Sequence, residues 1–184
     1  MESNLLYIDG TSLSLNDVYK FCVPQSYSQV TLTDQARQKM NQSREYILNI
    51  VEKEVPTYGI NTGFGALSNK FIDKKDLAEL QYNLIRSHCT GVGEPFTLEE
   101  TRAIMLLRAN CLSSGFSGIN PEIVEFILTL LNHDILPVIP QKGSVGASGD
   151  LAPLSHLALA LIGEGPVFYK GKQQDSSEVF KELG

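Results

Sequence analysis

The sequence has 184 residues, of which 42% are hydrophobic and 20% are charged, and its formal net charge is −6. This length and composition suit one globular unit with a hydrophobic core and exclude an intrinsically disordered chain. The acidic balance and the lack of a basic block argue against nucleic acid or an anionic membrane as a partner.

Several sequence features favour a cytoplasmic protein without a metal. Cys22, Cys89 and Cys111 are far apart and form no C-x-x-C pair, which is typical of buried thiols in a reducing compartment. The first residues show no basic stretch followed by an apolar run, so we expect no signal peptide. The longest apolar run, 154–162, is far too short for a membrane helix. The histidines lack ligand spacing to each other or to cysteine, so no metal site is predicted.

Taken in order, the chain predicts mostly helices. Residues 5–8 precede a turn signal and predict a short strand or hairpin. Beyond them, apolar residues recur at helical spacing behind residues that mark helix starts. The predicted helices begin at Ser14, Thr33, Asp73, Thr97, Asn120 and about Leu151. Residues 135–140 contain two prolines and should be extended, and 167–171 predict a small hairpin before one last helical turn. A helical bundle is therefore the predicted fold class.

Two stretches do not follow the helical pattern. Residues 58–65 hold three glycines in eight positions and predict an ordered loop. Position 68 is serine and no strand–helix unit surrounds the loop, so it is not a dinucleotide-binding fingerprint. The second stretch, 142–156, predicts a tight glycine-rich turn that enters the last long helix. That helix, about 151–162, is apolar on all sides, which is typical of a helix inside a larger assembly.

The centre of the second stretch is Ala147-Ser148-Gly149, followed by Asp150. If the Gly149 nitrogen attacks the Ala147 carbonyl and two waters are lost, the tripeptide becomes a ring with an exocyclic methylidene. That product is an electrophile, whereas the side chains used for covalent catalysis are nucleophiles. A P-loop is excluded because no Gly-Lys precedes a Ser or Thr. A nucleophile elbow is excluded because it would need glycine where Asp150 stands.

The run Gly-Ser-Val-Gly-Ala-Ser-Gly-Asp-Leu-Ala-Pro-Leu, which begins at Gly143, closely resembles a family signature. The family comprises the ammonia-lyases and 2,3-aminomutases that use the 4-methylideneimidazol-5-one (MIO) group. The resemblance also covers 58–65, 87–88, 108–110 and 115–118, and thus nearly the whole chain. It implies a mainly α fold of the ammonia-lyase type, with small β pieces near the N-terminus and around 166–172. It also implies an MIO group formed from residues 147–149, with no metal and no nucleotide.

The resemblance implies two catalytic residues. Ser148 would provide the electrophile, and Tyr58 matches the family's catalytic tyrosine, which removes the proton from the substrate's β-carbon. Since an ordinary tyrosine has a pKa near ~10, such a base needs donors or positive charge beside its phenolate. Without the resemblance, the alternative for Tyr58 is a ring packed at the edge of a loop.

Four more residues acquire roles from the resemblance. His88 matches a residue that faces the substrate ring, although a histidine at a helix C-terminus can also act as a cap. Asp150 matches an acid associated with ring formation, and it can also cap the following helix. Asn61 and Phe64 lie in the loop of Tyr58 and are predicted to line or support the site.

Three functions remain open. Bacterial family members that act on L-histidine, releasing ammonia and trans-urocanate, match best. A histidine at position 88 could also bind a phenol, so a tyrosine ammonia-lyase or a tyrosine 2,3-aminomutase is the alternative. Phenylalanine is disfavoured because a buried polar group left unpaired costs ~1–3 kcal/mol. A helical interaction module without catalysis is the alternative of another class.

Family members are much longer than 184 residues and build each active site from several subunits of a homotetramer. We therefore expect an N-terminal portion of a longer lyase. Residues 1–140 would form a helical and loop region with the tyrosine loop. Residues 141–184 would hold the electrophile loop and the start of the central bundle. Because the substrate-binding residues of the family's later segments are missing, we expect the isolated chain to be inactive.

Overall fold

The structure is a computed structural model that describes residues 4–23, 26–63, 65, 72–73, 75–144 and 149–184. Its helices are α1 (Leu15–Cys22), α2 (Asp34–Glu52), α3 (Leu77–His88), α4 (Leu98–Ser113), α5 (Pro121–Asn132), α6 (Leu151–Leu161) and α7 (Ser176–Leu183). Its strands are β1 (Leu5–Ile8), β2 (Gln29–Leu32), β3 (Val92–Pro95), β4 (Leu136–Pro137), β5 (Pro140–Lys142), β6 (Pro166–Tyr169) and β7 (Lys172–Asp175). The prediction of a mainly helical fold with small β pieces is confirmed.

Local capping explains where the helices begin. The side chains of Ser14, Thr33, Thr97 and Asn120 each accept a hydrogen bond from a backbone N–H of the first turn. Each such cap is worth about 1 kcal/mol. The predicted start of α3 was wrong. The carbonyl of Asp73 accepts from the Asp76 N–H at 2.8 Å in a separate turn, and the helix begins only at Leu77.

The strands pair over long and short distances in the sequence. β1 runs parallel to β2, so the alternative in which residues 5–8 form a hairpin was wrong. β6 and β7 form the predicted hairpin, and Lys170 and Gly171 at its tip both have positive φ, as in a type I′ turn. β4 extends this pair into a three-stranded sheet. β3 pairs antiparallel with β5, which brings the segment after α3 beside the segment before α6.

The hydrophobic core is centred on α4 and α5. These helices bury several large side chains: Met105, Leu106, Leu112, Val124, Ile127, Leu128, Leu130 and Leu131. By contrast, α3 contains no buried residue, and α6 buries only Ala152, Leu157 and Ala160. The described residues therefore cover α4 and α5 far more fully than the two helices next to the glycine-rich stretches.

Candidate active site

Those predicted site residues that the structure describes lie on three segments. The 57–65 loop carries Tyr58, the C-terminal end of α3 carries His88, and the loop before α6 ends in Gly149 and Asp150. α3 packs against α6, so the second and third segments lie close together. Phe64, Ala147 and Ser148 lie outside the described residues.

Tyr58 lies in a tight turn at the start of its loop. The carbonyl of Thr57 accepts from the N–H groups of Ile60 and Asn61, at 3.1 and 3.2 Å. The Tyr58 side chain is 64% exposed. This exposure disfavours the alternative in which its ring is packed at the loop edge, and it leaves the ring accessible to a substrate.

Asn61 holds the turn together from inside. Its side chain is 1% exposed. The Oδ1 atom accepts from the Thr57 N–H at 2.7 Å, and Nδ2 donates to the Val55 carbonyl at 2.9 Å. Both hydrogen bonds of the Asn61 side chain are made with backbone groups that precede Tyr58. The Asn61 side chain is therefore committed to the shape of the loop, which fixes the direction in which Tyr58 leaves the backbone.

His88 is half-buried at the end of α3, and its Nδ1 lies 2.8 Å from the Leu84 carbonyl oxygen. A carbonyl oxygen can only accept, so Nδ1 carries the proton. In the neutral ring Nε2 is then an acceptor, and no described residue forms a hydrogen bond with it. His88 therefore caps its own helix with one nitrogen and can receive a ligand's N–H or O–H with the other.

Asp150 precedes α6, but the predicted side-chain cap was wrong, because its carboxylate bonds no described N–H of that helix. Its backbone angles, φ −96° and ψ 66°, differ from the extended conformation that directs an N-cap side chain towards the first turn. The carboxylate instead accepts a hydrogen bond from the Ser144 hydroxyl. This bond joins the two ends of the loop that contains Ala147 and Ser148.

The role of His156 was not predicted. Its Nε2 accepts from the Gly91 N–H at 3.1 Å, which connects α6 to the segment just after His88. The two residues are 65 positions apart, so no local pattern could have revealed the contact. Burial lowers the pKa of His156, because the protonated ring would be a cation with little access to water.

An open cleft of about 820 Å³ lies beside these segments, between α2, α3, α4, α5 and α6. Most of its lining is apolar, and Gly59 and Ile60 of the tyrosine loop form part of its wall. Among the described residues that line it, Arg44 and Arg108 are cationic. The guanidinium of Arg44 donates to the Gly118 carbonyl at 3.3 Å.

Neither a metal-ion site nor a membrane-spanning helix is found in the part of the chain that the structure describes. Within it, no three His, Cys, Asp or Glu side chains converge as ligands of a metal ion would. None of its helices has the length and apolar character needed to cross a membrane.

Comparison with known proteins identifies the family. The sequence profile of the family described as "Aromatic amino acid lyase" matches residues 13–184. The chain therefore belongs to the aromatic amino acid lyase family. One curated relative, the histidine ammonia-lyase of Halalkalibacterium halodurans, is 51% identical over 180 residues. That match covers 98% of this chain but only 35% of the relative, so the chain spans about a third of the relative's length.

Solved structures share the fold. The histidine ammonia-lyase of Trypanosoma cruzi is 40% identical with a TM-score of 0.89, and the match covers 98% of this chain and 35% of that one. The tyrosine aminomutase of Streptomyces globisporus is 39% identical with the same TM-score, 0.89, over 96% of this chain and 33% of that one. The ammonia-lyase type of fold is confirmed by these likenesses.

Proposed function

We propose that this sequence belongs to a longer histidine ammonia-lyase, a carbon–nitrogen lyase that converts L-histidine to trans-urocanate and ammonia. The observation that carries the proposal is the 51% identity to a histidine ammonia-lyase over 98% of this chain, which includes the glycine-rich stretch from Gly143. Such an elimination is difficult because the β-proton is barely acidic and the amine is a poor leaving group. The chain must therefore supply a base and an electrophile.

The electrophile would be an MIO group built from Ala147, Ser148 and Gly149. When formed, it supplies an electrophilic carbon that makes the substrate's amine a better leaving group. The described surroundings fit such a group in two respects. A Cβ added to Gly149 would meet nothing within 4 Å, so the residue has space around it. The Ser144–Asp150 hydrogen bond draws the ends of the loop together, which favours attack of one backbone atom on another nearby.

The base would be Tyr58. A positioned general base accelerates a proton transfer by roughly 10²–10⁴-fold. The exposed ring of Tyr58 can reach a substrate bound outside the loop, and the two bonds of Asn61 keep its turn fixed. Phe64, in the same loop, is proposed as a supporting residue. Asp150 is proposed to assist ring formation from its position beside Gly149.

His88 is proposed to bind the imidazole of the substrate. Its Nε2 is the acceptor of the neutral ring, and a histidine side chain offers an N–H to pair with it. A phenylalanine ring would leave this nitrogen unpaired, at a cost of ~1–3 kcal/mol once the site is closed. His88 thus favours a substrate with a polar ring.

The remaining inferences concern the complete protein, meaning the full-length protein that contains this sequence. We infer a cytoplasmic homotetramer that binds neither nucleic acid nor membrane. We also infer a division into residues 1–140, with the tyrosine loop, and residues 141–184, with the electrophile loop and the start of the central bundle. The low burial of α3 and α6 supports the view that further helices cover them.

A tyrosine 2,3-aminomutase or tyrosine ammonia-lyase is the second candidate. A tyrosine phenol could donate to Nε2 of His88 as an imidazole N–H does. The likeness to the tyrosine aminomutase of Streptomyces globisporus, at 39% identity, also favours this candidate.

The test is to offer histidine, tyrosine and phenylalanine in parallel to the complete protein. Urocanate from histidine alone is the expected result. Coumarate or β-tyrosine would move the assignment to the second candidate, and no product from any amino acid would favour an interaction module without catalysis. Ser148→Ala and Tyr58→Phe should each abolish most turnover. Tyr46→Phe is the matched control, since Tyr46 is 68% exposed on α2.

A further inference from the structure

We propose that His156 is a positioning residue for the substrate-binding end of α3. Through its hydrogen bond with the Gly91 N–H, it sets the position of His88 relative to the loop that precedes α6. This inference rests on the proposed function, because it gives His88 and that loop their roles. It adds a residue that touches neither the substrate nor the reacting atoms.

The bond connects the two parts of the site by a short path. Gly91 lies three residues after His88, and His156 lies six residues after Asp150. The distance between Nε2 and the Gly91 nitrogen is 3.1 Å, and the ring is half-buried. A shift of this contact would therefore move the end of α3 against the start of α6.

The donor identifies the protonation state that the bond requires. A backbone N–H can only donate, so Nε2 of His156 must be unprotonated and Nδ1 must carry the proton of the neutral ring. Burial lowers the pKa of His156, which favours this neutral form. The geometry and the desolvation of the ring thus agree on one tautomer.

Glycine is needed for the segments to approach this closely. A Cβ on Gly91 would lie 2.9 Å from Nε2 of His156 and 3.2 Å from Cβ of Pro140. A Cβ on Gly143 would lie 3.0 Å from Cα of Gly91 and 3.1 Å from Cβ of Ala152. Three segments therefore meet with little room for a Cβ at either glycine. The His156 bond is a side-chain contact at this junction and adds to the backbone pairing of β3 with β5.

A second connection lies on the other side of His88. The guanidinium of Arg86 binds the Glu164 carboxylate through two hydrogen bonds, at 2.8 and 2.5 Å, which links α3 to the residues after α6. Both side chains are substantially exposed, and such surface pairs contribute little and weaken with salt. The His156 bond is half-buried and involves no charge pair, so salt should weaken it less than the Arg86–Glu164 pair.

The experiment uses three variants of the complete protein. His156→Gln keeps an acceptor oxygen at about the reach of Nε2, His156→Asn keeps an amide but is too short, and His156→Leu has no acceptor. His133→Gln is the control, because this exposed histidine bonds the carbonyl of Thr129 in its own helix. Three quantities are measured for each variant: kcat/KM for histidine, the intact mass, and the hydrogen exchange of a peptide that contains Gly91.

The expected result distinguishes the loss of the hydrogen-bond acceptor at position 156 from a change in side-chain volume. The Leu and Asn variants should lose about 10–100-fold in kcat/KM, since misplacement by about 1 Å can cost 10²-fold. They should keep the mass of the mature protein and exchange the Gly91 amide faster. The Gln variant should recover most of the activity and the protection.

Three results would overturn the inference. The first is a Leu variant with unchanged kcat/KM and unchanged exchange at Gly91. The second is an equal loss in the Gln and Leu variants. The third is the failure of all three variants to fold, which would assign His156 to folding instead. The exchange measurement does not depend on turnover, so a wild-type protein that releases no urocanate would count against the proposed function and still test the His156 contact.

Discussion

The α4–α5 half of the molecule and the α3–α6 half are held together in different ways. α4 and α5 bury large apolar side chains such as Met105, Leu106 and Val124 completely. α3 buries no residue, although it carries His88, which is proposed to bind the substrate. The first half is stabilised by its own packing, whereas α3 and α6 leave most of their residues exposed or half-buried.

This difference shows what positions the candidate site. Where packing is sparse, individual hydrogen bonds fix the geometry. Asn61 holds the tyrosine loop, Ser144 and Asp150 close the electrophile loop, and His156 holds the end of α3. We expect substitutions in the packed half to reduce stability, and substitutions of these polar residues to affect activity more than stability.

The largest effect is expected from truncation in the packed half. Leu106→Ala removes a fully buried side chain and should lower the free energy of unfolding by about 2–5 kcal/mol. Leu84→Ala, on the half-buried side of α3, removes the same atoms and should cost much less. Urea unfolding of the two variants measures the difference. Equal losses would contradict the distinction between the two halves.

The next effect concerns a buried cation. Arg102 is 7% exposed and pairs with Asp134. Asp134→Asn removes the negative charge of this pair and keeps a residue that tolerates the local backbone, since φ at this position is 58°. We expect a loss of about 1–3 kcal/mol in the free energy of unfolding, because the buried guanidinium keeps its desolvation cost. Glu182→Gln removes the exposed partner of Lys170 and should lower the free energy of unfolding by less than about 1 kcal/mol.

A smaller loss of stability, with a larger loss of rate, is expected at the tyrosine loop. Asn61→Ala removes both bonds that hold the turn of Tyr58. In the complete protein we expect a loss of about 1 kcal/mol in the free energy of unfolding, and a fall in kcat. Asn49→Ala, which removes one bond to the Glu45 carbonyl within α2, is the control. If Asn61→Ala leaves kcat at the wild-type value, the loop does not need this side chain.

The smallest effect is confined to low pH. Asp9 accepts hydrogen bonds from the N–H groups of Ser12 and Thr11, and these bonds lower its pKa from 3.8 to about 2. Since the unfolded chain binds the proton more tightly, Asp9 stabilises the fold above pH 3.8 and loses this contribution as the pH falls towards about 2. The stability difference between the wild type and Asp9→Asn should therefore shrink over that range. A difference that stays constant with pH would rule out the shift.

The helices could be predicted largely because their signals are local. Ser14, Thr33, Thr97 and Asn120 each bond an N–H two or three residues away, and all four mark real helix starts. The strands were harder, because β2 pairs with a strand more than twenty residues earlier. β2 and β3 were not predicted at all, since their partners are distant in the sequence.

The candidate site shows the same limit. Tyr58, His88 and Ser148 were named from a family resemblance and remain predictions. The bonds of Asn61 depend on how its loop folds back, and the partner of Asp150 depends on the conformation of the residues between 144 and 150. His156 and Gly91 meet only because α3 packs against α6, and no spacing in the sequence encodes that contact.

The central prediction concerns the intact mass of two forms of the protein, the complete protein and the isolated 184-residue chain. If the α3–α6 half needs further helices around it to form the electrophile, the complete protein should be lighter than its sequence by two waters. Ser148→Ala should abolish this loss. The isolated chain should keep the full mass of its sequence and release no urocanate. A complete protein that keeps its full mass would contradict the proposed electrophile. A short chain that has lost two waters would contradict the claim that this half needs additional structure.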